Sequence, residues 1–159
     1  MEQDFIVKIE EYQKILHKIC FVYAKNKADK EDLYQEIILQ LWKSYPSFKG
    51  NSKFSTWMYR VALNTALTST KKASFFEFNR EPKSDIYDLG KSMDYSEDIR
   101  ILYKAISRLN KVEKAIVLMW LDEKSYNEIA ETIGITPKNV GVKLTRIKKK
   151  LAAFIKKLQ

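Results

Sequence analysis

Residues 125–151 read SYNEIAETIGITPKNVGVKLTRIKKKL, which is the pattern of two helices around a sharp turn. Ser125 is a good N-cap, and Glu128 three residues on completes a capping box, each side chain accepting the other's backbone N–H. Ile129, Ala130 and Ile133 then form a small apolar face. Gly134 stands where a left-handed C-cap is expected, because glycine takes positive φ without a Cβ clash. Ile135 plugs the turn. Thr136 is the next N-cap, with Pro137 at the first helical position, where its missing N–H is no loss. Val140, Leu144, Ile147 and Leu151 recur at helical spacing. The stretch predicts a helix-turn-helix.

Charge suggests what that element does. From 137 to 159 there are eight Lys or Arg and no acidic residue. A helix that opens with polar side chains and ends in cations suits a major groove bounded by phosphates. A helix-turn-helix alone indicates DNA binding, not which kind of DNA binder.

The rest of the composition narrows the class. The chain has 159 residues, 45% hydrophobic and 13% aromatic, enough for one domain or two small ones with real cores. Four Gly and three Pro are few, and helix formers dominate, so the expected fold is all-α. Net charge is +9, which favours a polyanionic partner. Cys20 is the single cysteine and His17 the single histidine. That excludes an intrachain disulfide and gives no Cys/His cluster for zinc. Both sit in a strongly apolar helical stretch and read as packing residues. No metal and no cofactor is expected. No signal peptide and no apolar run near 18 residues is present, which predicts a cytoplasmic protein.

The charge is uneven. Residues 1–50 are neutral, with eight cations and eight anions, and residues 51–80 hold five cations against one anion. Residues 81–98 hold two against six, and 111–159 hold eleven against five. Two DNA-facing modules joined by an acidic link fit this order. The domains expected are 1–74, a flexible linker over 75–95, and 96–159.

Taken in order, residues 4 to about 25 read as one helix, with Phe5, Ile9, Tyr12, Leu16, Ile19 and Tyr23 along one face. Asp29 is the expected cap of the second helix. There Leu33, Ile37 and Leu41 form one apolar row, and Tyr34, Ile38 and Trp42 the next. Its remaining face carries Asp32, Gln35, Glu36 and Gln40, which composition alone would leave as a solvated face. Pro46 ends that helix, and residues 47–53 are a loop with turn residues Gly50 and Asn51. Ser55 or Thr56 is expected to cap a helix to about residue 70. Phe48, Phe54, Trp57 and Tyr59 interleave with Lys49, Lys53 and Arg60. Cations that hold phosphates beside rings that stack on unpaired bases suit single-stranded nucleic acid. Part of that aromatic set is also expected in the core. Ser96 caps the next helix, and Asn110 with Glu113 makes another capping box before a short helix over 111–121.

Three segments carry a resemblance: DLYQEIILQLWK at 32–43, FKGNSKFSTWMYRVALN at 48–64, and 106–151. In that order they resemble the two characteristic regions of bacterial RNA polymerase sigma factors, in the small extracytoplasmic-function (ECF) group, which has only regions two and four. The resemblance implies a dissociable initiation factor with no catalytic residues, whose partners are core RNA polymerase and promoter DNA, with no small-molecule substrate. Members of the group are commonly held inactive by an anti-sigma protein, which makes such a protein a candidate partner.

The resemblance also implies roles. Asp32, Gln35, Glu36 and Gln40 would dock on the coiled coil of the polymerase's largest subunit. Lys49, Asn51 and Lys53 would capture a flipped base of the −10 element. Ser55, Trp57, Tyr59, Arg60 and Asn64 would face that DNA or shape the pocket, followed by Lys71 and Lys72. Unstacking costs a few kcal/mol per step, which stacking and a base pocket offset. In the major groove at −35, Thr136 and Lys138 would contact phosphate. Asn139, Lys143 and Arg146 would read base edges, and Val140 a thymine methyl. The linker would run through the RNA-exit path.

Three positions depart from the family. Thr68 stands where Asp is common, Gly141 where a cation is usual, and Lys143 where Arg is common, which loses a bidentate fork. Two other readings remain at this point. A one-component regulator would use the first module as a dimerisation or sensing domain. A nuclease would use Asp29, Asp32 and Glu36 as metal ligands, but no fourth ligand or His base accompanies them.

Overall fold

A computed structural model describes residues 1–76 and 96–159, with side chains for 1–69 and 96–159. The described residues are helices, turns and bends without a strand, so the all-α expectation holds. They divide into two compact helical units, one on each side of the undescribed stretch. Nearly all of the expected linker, 75–95, and the side chains of Lys71 and Lys72 lie outside the described residues.

The N-terminal unit contains α1 (Glu2–Glu11), α2 (Gln13–Tyr23), α3 (Lys27–Ser44), a 3-10 turn (Tyr45–Ser47) and α4 (Phe54–Phe76). The single helix expected over 4–25 is two helices. Tyr12 breaks it, at φ −109° and ψ 16°. The break lets two different surfaces be buried. Phe5 of α1 packs on the rings of Trp42 and Tyr45. In α2, Ile15, Leu16, Ile19, Cys20, Phe21, Val22 and Tyr23 are all buried, more than one helical stripe, because α2 packs against both α3 and α4. The cap of α3 is also shifted. Asn26 is the N-cap, its Oδ1 accepting the Asp29 N–H at 2.8 Å. Asp29 sits in the first turn, where its charge favours the positive end of the helix dipole.

Leu33, Ile37 and Leu41 face inward as their spacing requires. They pack toward α4, whose Met58, Ala62, Leu63 and Ala66 are all essentially without exposure. The two alanines one turn apart let α4 approach α2 and α3 closely. Each fully buried Leu, Ile or Met contributes about 1.5–3 kcal/mol relative to an exposed position. Burial pushes the Cys20 thiol up to about 12 against a smaller opposing effect of the Lys30 charge, so the thiol stays protonated and unreactive.

The C-terminal unit contains α5 (Glu97–Ile106), α6 (Lys111–Leu121), α7 (Tyr126–Ile133) and α8 (Pro137–Leu158). Its caps are those predicted. Ser96 Oγ accepts the Ile99 N–H. Reciprocal capping boxes join Asn110 with Glu113 and Ser125 with Glu128. Gly134 takes φ 87° and ψ 36°, and the N–H groups of Gly134 and Ile135 both donate to the Ala130 carbonyl. Thr136 Oγ1 accepts the Asn139 N–H at 3.2 Å. Val140, Leu144, Ile147 and Leu151 are buried. They pack with α6, where Ala115, Ile116, Val117, Leu118 and Met119 are consecutive and buried. The turn from α6 to α7 holds Glu123 at φ 60°, a left-handed conformation that a Cβ disfavours.

Candidate nucleic-acid interface

The buried row of α8 fixes which of its side chains face outward. Thr136, Lys138, Asn139 and Arg146 are exposed and Lys143 is half-buried. Val140 is different. It is 0% exposed, so it cannot touch a thymine methyl and belongs to the core. Its place in the repeat with Leu144 and Ile147 already indicated this. The exposed apolar side chain is Val142, at 45%, about 200° around the helix from Val140 at 3.6 residues per turn. Thr145 is also exposed on that outward side, its Oγ1 donating back to the Gly141 carbonyl at 3.1 Å. Sequence reasoning missed both. The available signal was negative: Val142 lies outside the apolar row. Gly141 faces α7, where a Cβ would stand 3.4 Å from the Tyr126 ring.

In the N-terminal unit, the loop before α4 exposes Lys49, Asn51 and Lys53, with Gly50 at φ 75°. Arg60 and Asn64 lie exposed one turn apart on α4, and Ser55 is half-buried. Trp57 and Tyr59 do not join that surface. Trp57 is 9% exposed and Tyr59 2%. The Trp57 ring lies 5.1 Å from Phe48, 5.3 Å from Phe54 and 6.2 Å from Tyr45, centroid to centroid. Helix α4 starts at Phe54, so Ser55 and Thr56 are first-turn residues rather than caps. This places Trp57 and Tyr59 in the core rather than on the exposed surface. Trp57 supports the base of the exposed loop instead, through Phe48 and Phe54.

The polar face of α3 is divided. Asp32, Glu36 and Gln40 line a cleft of about 690 Å³ together with Asn64, Thr65 and Thr68 of α4. Gln40 Nε2 donates to Glu36 Oε1 at 3.0 Å. Gln35 faces away from this cleft, onto an apolar groove of about 480 Å³ with Phe5, Ile6, Ile38, Leu39 and Trp42. Trp42, expected in a packed row, is 41% exposed, and Leu39 beside it 44%. Leu39 and Trp42 thus leave adjacent apolar side chains exposed beside Gln35. Asp29, Asp32 and Glu36 share the first cleft, but among the described residues no group of three or more His, Cys, Asp or Glu is arranged to hold a metal ion.

Residues 9–75 match the family described as Sigma-70 region 2, and residues 99–151 match Sigma-70, region 4. The ECF RNA polymerase sigma-E factor of Haemophilus influenzae is 32% identical over 145 residues, covering 80% of this chain and 74% of that protein. The chain belongs to the ECF sigma factors. Sigma factors are transcription initiation factors that direct RNA polymerase to promoters, not enzymes. A shorter match, 41% over 66 residues, joins 42% of this chain to only 18% of the ECF RNA polymerase sigma factor SigG of Mycobacterium tuberculosis. The fold is similar to that of the sigma factor RpoE from Bartonella quintana, at TM-score 0.79 and 19% identity over 97% of this chain and 98% of that one. Within this sigma factor α3 and the loop before α4 fall in the region-2 match, and α7 and α8 as far as Leu151 in the region-4 match. No helix among the described residues is long and apolar enough to cross a membrane.

Proposed function

We propose that this sigma factor binds core RNA polymerase and directs it to promoters with three surfaces. Helix α3 docks on polymerase through Asp32, Gln35, Glu36 and Gln40, with Leu39 and Trp42 adding apolar contact beside Gln35. Lys49, Asn51, Lys53, Ser55, Arg60 and Asn64 hold the opened −10 element, and Lys71 and Lys72 follow on the same helix. Helix α8 reads the −35 element: Thr136 and Lys138 position the backbone, Asn139, Lys143 and Arg146 address base edges, and Val142 meets a thymine methyl. The polymerase performs the chemistry in the cytoplasm, and this chain contributes no catalytic residue. The domains are 1–74, 75–95 and 96–159, with the acidic middle segment in the RNA-exit path. An anti-sigma factor is a further partner, since the sigma factor RpoE, similar in fold, was solved in complex with the anti-sigma factor NepR.

The observation that carries this reading is one chain holding both sigma regions in order, the second built around a helix-turn-helix with correct caps at both helices. The test is a titration of core RNA polymerase with the wild-type chain and with an Asp32→Ala/Glu36→Ala double variant. Tight wild-type binding, weakened tenfold or more in the variant, is expected. Equal binding by both would remove the docking face from α3. No binding by folded wild type would remove the sigma function itself.

A further inference from the structure

The C-terminal unit carries a concave basic surface that extends beyond the reading helix. A groove of about 810 Å³ runs between α8 and the start of α6. Lys143, Arg146 and Lys150 line it from α8, and Lys111 and Lys114 from α6, with Glu113 as its single acidic residue. On α8 those cations, with Asn139, repeat at intervals of three and four, so they form one flank of the helix. Glu113 is already committed. One carboxylate oxygen accepts the Asn110 N–H at 3.1 Å, and the other accepts Lys150 Nζ at 2.7 Å. Five cations and one carboxylate line this concavity, an electropositive surface that suits a polyanion.

We infer that Lys111 and Lys114 grip the phosphate backbone of the duplex whose bases α8 reads, so that the groove between α6 and α8 is part of the DNA interface. This rests on the −35 reading of α8 proposed above. It adds a different kind of contact, because lysine is a point charge that holds phosphate without regard to sequence. Arg146 stands at the junction, exposed on the reading helix and lining the groove.

Counterion release makes the inference measurable, since each phosphate contact adds about 0.9 to the slope of log K against log salt. The full chain is titrated with a mixed-sequence duplex by fluorescence anisotropy from 50 to 200 mM salt. Loss of two contacts in Lys111→Ala/Lys114→Ala lowers the slope by about 1.8, so wild type loses roughly tenfold more affinity across that range than the variant. Lys156→Ala/Lys157→Ala, which removes the same charge from the far end of α8, is the control and keeps most of the slope. Equal slopes in wild type and Lys111→Ala/Lys114→Ala overturn the inference. So does an equal fall in both double variants, which reports net charge alone. If Arg146→Ala lowers the slope and Lys111→Ala/Lys114→Ala does not, the reading helix stands and only the groove assignment fails. If wild type shows no salt-dependent duplex binding, both fail. Weakened polymerase binding with an unchanged DNA slope assigns the groove to an acidic protein segment and likewise overturns it.

Discussion

Gly141 lies inside α8, five residues after the N-cap, where nothing in the backbone requires glycine. Its φ is not positive, and among the described residues the only neighbour an added Cβ would meet within 4 Å, apart from its own helix backbone and chain neighbours, is the Tyr126 ring at 3.4 Å. That is ordinary contact, and Tyr126 is 43% exposed, so the ring is free to yield a few tenths of an ångström. Replacing glycine by alanine within a helix gains about 0.8–1 kcal/mol, because the unfolded chain loses conformational freedom. No clash subtracts from this. Gly141→Ala is therefore expected to stabilise the C-terminal unit by about 1 kcal/mol.

Hydrogen exchange at the backbone amides of Leu144 and Ile147 isolates that unit from the other. Where exchange follows opening of the whole unit, a gain of 1 kcal/mol slows it by about fivefold, given RT of about 0.6 kcal/mol. The melting transition of a unit this size should rise by about 4–8 °C. Unchanged or faster exchange would refute the reasoning, since it would mean that Tyr126 is pinned and that Gly141 is needed for the close approach of α7 to α8.

Three further outcomes are expected. His17 stacks on Tyr34 at 5.1 Å with its Nδ1 buried and unpartnered, and burial first, then the Lys30 charge, holds its pKa below 6.5. The unfolded chain therefore binds the proton more readily, so stability is complete above pH 6.5 and is lost as pH falls below it. In urea titrations at pH 7 and 5.5 the loss stays well under the one-proton limit of about 1.4 kcal/mol per pH unit, as the ring is half-exposed. His17→Phe, which keeps the stack, should flatten it; an unchanged loss would assign it elsewhere. Trp57→Ala should cost about 3–5 kcal/mol by emptying the cluster with Phe48 and Phe54, measured by denaturant unfolding. A loss below 1 kcal/mol would return Trp57 to the surface. Val140→Ala should destabilise the C-terminal unit by about 1–2 kcal/mol, judged from the methylenes removed. Val142→Ala should leave stability within about 0.5 kcal/mol and weaken discrimination at one base pair of the −35 element; the reverse pattern in the two valines would overturn the orientation of α8.

Local chemistry was legible in the sequence wherever one residue type has a strong backbone role. Ser125, Glu128, Gly134, Thr136 and Pro137 each perform the task their side chains suit best, and the fold of the C-terminal unit follows from them. The errors share a different cause, in that side-chain direction had to be inferred where two apolar or aromatic rows lie next to each other. Val140 and Val142 are chemically identical and differ only in the side of the helix they occupy. Trp57 and Trp42 are exchanged in the same way. The tryptophan in the aromatic-basic stretch is buried, and the one in a helical apolar row is exposed. Aromatic rings interleaved with cations are ambiguous because the cations remain on the surface in either case, while the rings follow whatever cavity the tertiary packing leaves. Here Tyr45, Phe48 and Phe54 surround Trp57 from within residues 45–57, but Phe5 on Tyr45 and Tyr12 on Phe54 extend the cluster from far outside that window. Periodicity could not show the division of Asp32, Glu36 and Gln40 from Gln35 either, because it depends on where α4 and α1 lie against α3. A polar stripe shows that a helix face avoids the core, but the neighbouring helices decide which partner each side chain in the stripe can reach.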